Sequence, residues 1–296
     1  MVTANALKYG DKDRHLRYSE QEHPVILQLG GSDPVDLAAA AQMGEEYGYD
    51  EINLNCGCPS DRVQSGSFGA CLMKDPKTVQ DCIKAMQDAV SIPVHVKCRI
   101  GIDDSEDYQF LEDFITTISA CDTFIIHARK AWLKGLSPKE NRDVPPLQYD
   151  VVEKIKRNFP DLNIQINGGI KTMEQIKHFL GDERAPRACT HETHFHGTMI
   201  GREAYQNPWF LREIEETFYG TQNLPSAEDI VLAMIPYIKK QQELYDTPVK
   251  SITRHMTGLF QGQAGARTWR QILSTQVHQD SVTAEILETA LKRAFG

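Results

Sequence analysis

Short apolar runs bounded by glycine, proline and polar residues recur at 24–29, 51–55, 92–97, 123–126, 163–166 and 197–200. Each has the length of a buried strand rather than of a helix. Between them, apolar residues return at helical spacing over 34–47, 77–90, 107–119, 149–159 and 172–180. The first of these helices opens on Ser32, Asp33 and Pro34, a capping residue followed by proline at an early helical position. Strand and helix alternate at the spacing of a parallel sheet closed or backed by helices. Six strands are legible, whereas a closed (β/α) barrel needs eight. Residues 1–23 read as polar and irregular. Beyond about residue 220 no strand follows, and apolar residues keep helical spacing at 230–244, 255–261, 266–274 and 284–295. The chain therefore divides into an α/β domain over 1–219 and a small all-α domain over 225–296.

One stretch carries more glycine, cysteine and asparagine than packing asks for: EINLNCGCPSDRVQSGSFGACLM, residues 51–73. Its opening strand alternates Ile52 and Leu54 with polar neighbours, and at its end Cys58 stands between Gly57 and Pro59. Glycine permits a turn that other side chains forbid, and proline fixes the next φ. A thiol on a rigid loop at a strand's C-terminal end is where a barrel enzyme keeps its chemistry. Cys56, Cys71 and Cys82 read instead as packed, structural thiols.

Other strand ends carry polar groups. Gln28, Lys97 and His127 each lie at or near one. Lys97 follows the apolar stretch 94–96, where an ammonium without a partner would be costly, so an anion is its simplest partner. Asn167, Gly168 and Gly169 follow the next strand, and Gly201 and Arg202 the last. Glycine lets backbone N–H groups approach an oxyanion, and arginine forks onto phosphate oxygens, so the two pairs together suit a phosphate. No Gly-x-Gly-x-x-Gly follows a strand, so no Rossmann dinucleotide site is expected. His191, His194 and His196 fall in a polar loop between a helix and a strand rather than on one helix face, and no metal site is expected.

The net charge of −9 argues against nucleic acid only on average. Residues 239–296 carry a net +3, and residues 127–142 a net +4 from Arg129, Lys130, Lys134, Lys139 and Arg142 against Glu140. A basic loop and a basic tail on an acidic body can hold a phosphate backbone locally, although each patch alone would read as solvated surface. Seven cysteines without a regular framework fit a reducing cytoplasm. No apolar run reaches eighteen residues and the residues after Met1 do not read as a secretory leader, so neither a membrane segment nor a secretory signal is expected.

The Asn-x-Asn-x-Gly-Cys-Pro-Ser run (53–60) resembles the active-site loop of the tRNA-dihydrouridine synthases. The resemblance extends, in order, through VKCRIGIDD (96–104), FIIHARKAWLKGLSPKENR (124–142), INGGIK (166–171), MIGREAYQNP (199–208) and ITRHMTGLFQGQAGARTWR (252–270). It is closest to the A subfamily, whose implied targets are positions 20 and 20a of the D-loop. The resemblance implies a TIM barrel with six of its eight strands present, Met1 and Val2 aligning with the end of the family's second strand, and thus an N-terminally truncated chain. It implies an FMN cofactor held by Gln28, Lys97, His127, Asn167, Gly168, Gly169, Gly201 and Arg202, with NADPH as a transient reductant. Cys58 becomes the proton donor, since a thiol with a reference pKa of about 8.5 is mostly protonated at neutral pH. Asn55, Lys139, Arg142, Arg267 and Arg270 become the tRNA contacts, with Arg254 a further candidate; Arg267 and Arg270 share one helix face. The expected protein is a cytoplasmic monomer without a stable protein partner. Two other functions fit some of these features. One is another FMN-dependent barrel reductase of a free small molecule, like a dihydroorotate dehydrogenase. The other is a non-catalytic tRNA-binding module.

Overall fold

A computed structural model describes residues 1–60, 66, 68–105, 107–181, 194–278 and 282–296. The chain forms two compact units, Met1–Met199 and Ile200–Gly296.

The first unit is built on seven parallel strands that neighbour one another in chain order: β1 (Val2–Thr3), β2 (Ile26–Gly30), β3 (Glu51–Cys56), β4 (Val94–Arg99), β5 (Thr123–His127), β6 (Asn163–Asn167) and β7 (Gly197–Met199). Helices follow β2 to β6 at α3 (Pro34–Glu46), α4 (Pro76–Ala89), α5 (Asp107–Thr117), α6 (Tyr149–Asn158) and α7 (Met173–Leu180), after α1 (Ala4–Tyr9) and α2 (Lys12–Leu16) near the start. The sequential parallel order with a helix behind each strand is that of a TIM barrel. The helix starts follow their caps: Asp33 accepts from the Asp36 N–H, Asp75 from Thr78, and Thr172 from Gln175 in a capping box.

Two expectations from the pattern are corrected here. Among the described residues the sheet has seven strands rather than six, because Val2 and Thr3 pair with Leu29 and Gly30 and so cover the C-terminal end of β2. A two-residue strand is too short to show alternation. Residues 1–23 are not irregular: α1 and α2 are short helices capped by Thr3 and Asp11, and they bury Leu7 and Leu16 completely.

Register explains which residues go where. Gln28 pairs with Asn53, Asn55 with Lys97, Arg99 with His127, and His127 with Asn167. In a parallel sheet paired residues share a face, and period two places every second residue there. Asn53, Asn55, His95, Lys97, Arg99, His127 and Asn167 therefore point to one side, the barrel interior. Leu27, Leu29, Ile52, Leu54, Cys56, Val94, Val96, Cys98, Phe124, Ile126, Ile164 and Ile166 point to the other, and all are buried against the helix layer.

The second unit is helical. It contains α8 (Arg202–Gln206), α9 (Phe210–Ile214), α10 (Ala227–Tyr245), α11 (Val249–Thr253), α12 (Ala266–Thr275) and α13 (Ile286–Phe295). Ser226 and Asp229 form a capping box at the start of α10. Val231, Ile238, Trp269, Leu273 and Leu287 make its core, with Trp269 fully enclosed. The helix expected over 255–261 is a series of turns. Its apolar residues do pack inward, but Gly262 and Gly265 take positive φ, and Gly258 lies so close to Gln206 that a Cβ would meet its carbonyl oxygen at 2.1 Å.

A polar strand-end cluster as candidate active site

The inward-facing residues at the C-terminal ends of β2 to β6 are joined by hydrogen bonds. Gln28 donates to Asn53 Oδ1 (2.8 Å) and accepts from Asn55 Nδ2 (2.8 Å). Asn55 turns its own Oδ1 to the backbone N–H groups of Gly57 (3.1 Å) and Cys58 (3.0 Å). It thus shapes the cysteine turn in the manner of an Asx-turn. One Nδ2 hydrogen of Asn55 is all that its side chain keeps for a ligand. The loop is fixed from its other side by Ala70, whose N–H donates to the Cys58 carbonyl (2.9 Å). The half-buried Cys58 thiol donates to Ser60 Oγ at 3.5 Å.

Lys97 reaches across β5 to Asn167, donating to Oδ1 at 2.9 Å, while Asn167 Nδ2 donates to the Met199 carbonyl (2.8 Å). Burial pushes the Lys97 pKa down to about 8. No carboxylate lies within ion-pairing distance of it among the described residues, so its charge has only an amide for company. Gly168 follows with φ +120°, and a Cβ there would stand 2.6 Å from His127 Cδ2. Glycine is what allows the chain to pass beside the imidazole. Tyr149 holds this turn by donating to the Gly168 carbonyl (2.5 Å).

One heavily bonded side chain in the cluster was passed over by pattern reading. Arg99, 3% exposed, donates through Nε to the Gly57 carbonyl (3.0 Å) and through one terminal nitrogen to the carbonyls of Lys130 (2.7 Å) and Asn141 (2.8 Å). Burial lowers its pKa to about 10, leaving it charged at neutral pH. It ties the cysteine turn to the basic loop. The signal was available: Arg99 is two residues after Lys97 and so shares its face. Placing the strand at 92–97 rather than Val94–Arg99 hid it.

Asn141, fully buried, organises the basic loop itself. It accepts from the Trp132 N–H (2.7 Å) and donates to the carbonyls of Trp132 (2.9 Å) and Leu136 (3.2 Å). Lys139 precedes the turn Glu140–Arg142 and Arg142 ends it, and both are exposed. Arg267 and Arg270 are exposed on α12 of the helical unit, where Gly201 and Arg202 also fall. Cys56, Cys82, Cys98 and Cys121 are buried free thiols, the last three pushed up by burial to about 12. Cys71 is half-buried. Of the three clustered histidines, His194 and His196 are exposed and His191 lies outside the described residues; no group of metal-binding side chains occurs among those described.

A parallel barrel that gathers two cations, a histidine, four amides and a loop-borne thiol at its strand ends defines a barrel enzyme with an interior ready for an anionic ligand. The chain belongs to the dihydrouridine synthase (Dus) family, whose model matches residues 1–295. It is 53% identical to the tRNA-dihydrouridine(20/20a) synthase of Escherichia coli O6:H1 over 296 residues, covering 99% of this chain and 85% of that protein. The protein of the same description from Salmonella typhi is 54% identical over 300 residues, covering 99% of this chain and 85% of the relative. That from Vibrio cholerae is 48% identical over 297 residues, with 99% and 86% covered.

Proposed function

We propose that this protein reduces uridine to 5,6-dihydrouridine in the D-loop of tRNA, at positions 20 and 20a, with FMN as cofactor and NADPH as reductant. The observation that carries the reading is Lys97, a half-buried cation on the interior face with an amide as its partner, one strand away from the cysteine turn. That residue set fits a flavin. Lys97 would meet the negative charge of the reduced ring, Gln28 and His127 would line it, and Asn167–Gly169, with Gly201 and Arg202, would suit its phosphate. Bound FMN in its reduced form supplies the hydride that this chemistry requires.

The protein's own part is acid catalysis and positioning. The uracil C5=C6 bond is conjugated with the C4 carbonyl, so hydride arrival at C6 develops charge through C5 toward O4. Cys58 delivers its proton to C5: the S–H bond breaks, the C5–H bond forms, and a thiolate remains to be reprotonated from solvent. Asn55 and Arg99 hold the turn that aims the thiol. A base must leave the folded RNA to reach such an interior, so backbone contacts outside it are required. The exposed Lys139 and Arg142 on the basic loop, and Arg267 and Arg270 on α12, supply candidates of the right charge. Mass spectrometry of the small molecule released on denaturation, followed by dihydrouridine assay on unmodified tRNA and on free uridine, tests the proposal. FMN with activity on tRNA alone is expected. Turnover of free uridine at a matching rate would favour a small-molecule reductase, and absence of flavin would refute the enzyme reading.

A further inference from the structure

The helical unit carries a directed chain of hydrogen bonds that serves neither its core nor the strand-end cluster. Arg254 Nε lies 3.1 Å from His255 Nε2, and His255 Nδ1 lies 3.0 Å from the Tyr205 hydroxyl. An arginine N–H can only donate, so His255 Nε2 must be the accepting, unprotonated nitrogen. The neutral ring then carries its hydrogen on Nδ1 and donates it to the Tyr205 oxygen. Burial and the neighbouring guanidinium both lower the His255 pKa, in keeping with the neutral ring. The phenol oxygen is thereby occupied as an acceptor, and its own O–H has no acceptor among the described residues.

Every hydrogen bond in this row runs the same way and polarises the next, so the last donor is strengthened. That donor is presented outward, on a tyrosine that is 57% exposed. Beside it is the exposed Arg254, for which no carboxylate is within ion-pairing distance among the described residues. The assembly is rigid. The tyrosine and histidine rings meet edge to face with centroids 5.5 Å apart, and Gly258 seats the turn against Gln206, the neighbour of Tyr205. The same turn is fixed to α12 by the Trp269 indole, which donates to the Met256 carbonyl (3.0 Å). Arg267 and Arg270, both exposed, neighbour that tryptophan in the sequence of α12.

We propose that Tyr205, His255 and Arg254 form a phosphate-binding point for the RNA substrate, with the Tyr205 O–H and the free guanidinium nitrogens of Arg254 on the oxygens of one phosphodiester. A phosphodiester offers two charged acceptor oxygens to two separated donors. His255 is a positioning residue: it sets the direction of the Tyr205 hydroxyl and touches no ligand. The inference rests on the tRNA-binding reading above and extends it from Arg254, already a candidate there, to Tyr205 and His255.

The test is tRNA binding by the flavin-loaded enzyme across a salt series, using an unmodified tRNA transcript. Tyr205→Phe removes one donor and no packing volume; it should weaken binding by about five- to tenfold with the salt slope retained. Arg254→Gln should weaken binding and lower the slope by about 0.7 to 0.9, the share of one phosphate. His255→Phe, which keeps a ring but frees the hydroxyl to turn, should reproduce the Tyr205→Phe loss, and a melting temperature equal to the parent's confirms that the fold is intact. The double variant Arg267→Ala, Arg270→Ala separates the two claims. If it loses affinity while Tyr205→Phe and Arg254→Gln bind as the parent does, the phosphate point is overturned and the tRNA reading stands. If the parent itself does not bind tRNA, both fall.

Discussion

Replacing Arg99 with methionine isolates what the buried guanidinium does. Methionine fills much of the same volume and removes all three hydrogen bonds, so the carbonyls of Gly57, Lys130 and Asn141 each lose a charged donor. A buried carbonyl left short of a partner costs about 1–3 kcal/mol, and part of the sum is offset because no cation now has to be desolvated. The expected net loss is about 2–4 kcal/mol, which for a unit of this size lowers the melting temperature by roughly 4–16 °C. Activity should fall further than stability implies, because the bond to Gly57 sits next to Cys58. Displacing a reacting group by about 1 Å can cost about a hundredfold. Arg99→Lys restores the charge but not the fork, so one ammonium cannot serve carbonyls on three segments. It should recover little of the rate. Dihydrouridine formation in single turnover, alongside thermal unfolding, decides the matter. A methionine variant that melts and turns over as the parent does would refute the strut. A lysine variant with full activity would show that charge alone matters there.

Three further outcomes follow from the strand-end geometry. Cys58→Ala should retain flavin and its reduction by NADPH but lose dihydrouridine formation, read as the rate at which tRNA reoxidises the reduced flavin. Lys97 has a folded pKa near 8 against an ordinary 10.5, so between these values the unfolded chain binds more protons and stability rises with pH. Flavin-free Lys97→Met should therefore unfold at higher denaturant than the parent below pH 8, with the advantage shrinking toward pH 10.5, and should bind FMN more weakly. Gly168→Ala should destabilise the first unit by about 2–4 kcal/mol, because positive φ and contact with the His127 ring act together; urea unfolding and flavin content report it.

The barrel strands were legible because a short apolar run of strand length, bounded by turn residues, marks each of the six later ones. What escaped has physical reasons. Val2–Thr3 has no period to read, and α1 and α2 are too short for helical spacing to rise above a polar background, although Thr3 and Asp11 are ordinary caps. At 255–261 the apolar spacing was genuine, but glycines at 258, 262 and 265 turned it into a packed set of turns. At the site, the thiol loop and the strand-end lysine and histidine were visible from their positions. Asn141 was not, because a buried asparagine inside a charged loop obeys no periodicity. Arg99 was lost to a two-residue error in one strand boundary. Asn55 was assigned to a ligand from its position, and its side chain is largely engaged by Gln28 and the cysteine turn.

The division of β3, β4 and β6 into an apolar face and a polar face bears on how the barrel comes together. Sliding β4 by a single position against its neighbours would turn His95, Lys97 and Arg99 into the helix layer and bring Val94, Val96 and Cys98 into the interior. Cations would then lie among leucine and isoleucine with no acceptor in reach, a penalty of several kcal/mol for each. The residues gathered for chemistry thus also proofread strand alignment during assembly, since only the native pairing leaves them hydrated or hydrogen-bonded. Clearing the interior to alanine and leucine would remove that check, and a chain so altered would have gained apolar surface while losing its means of telling one register from the next.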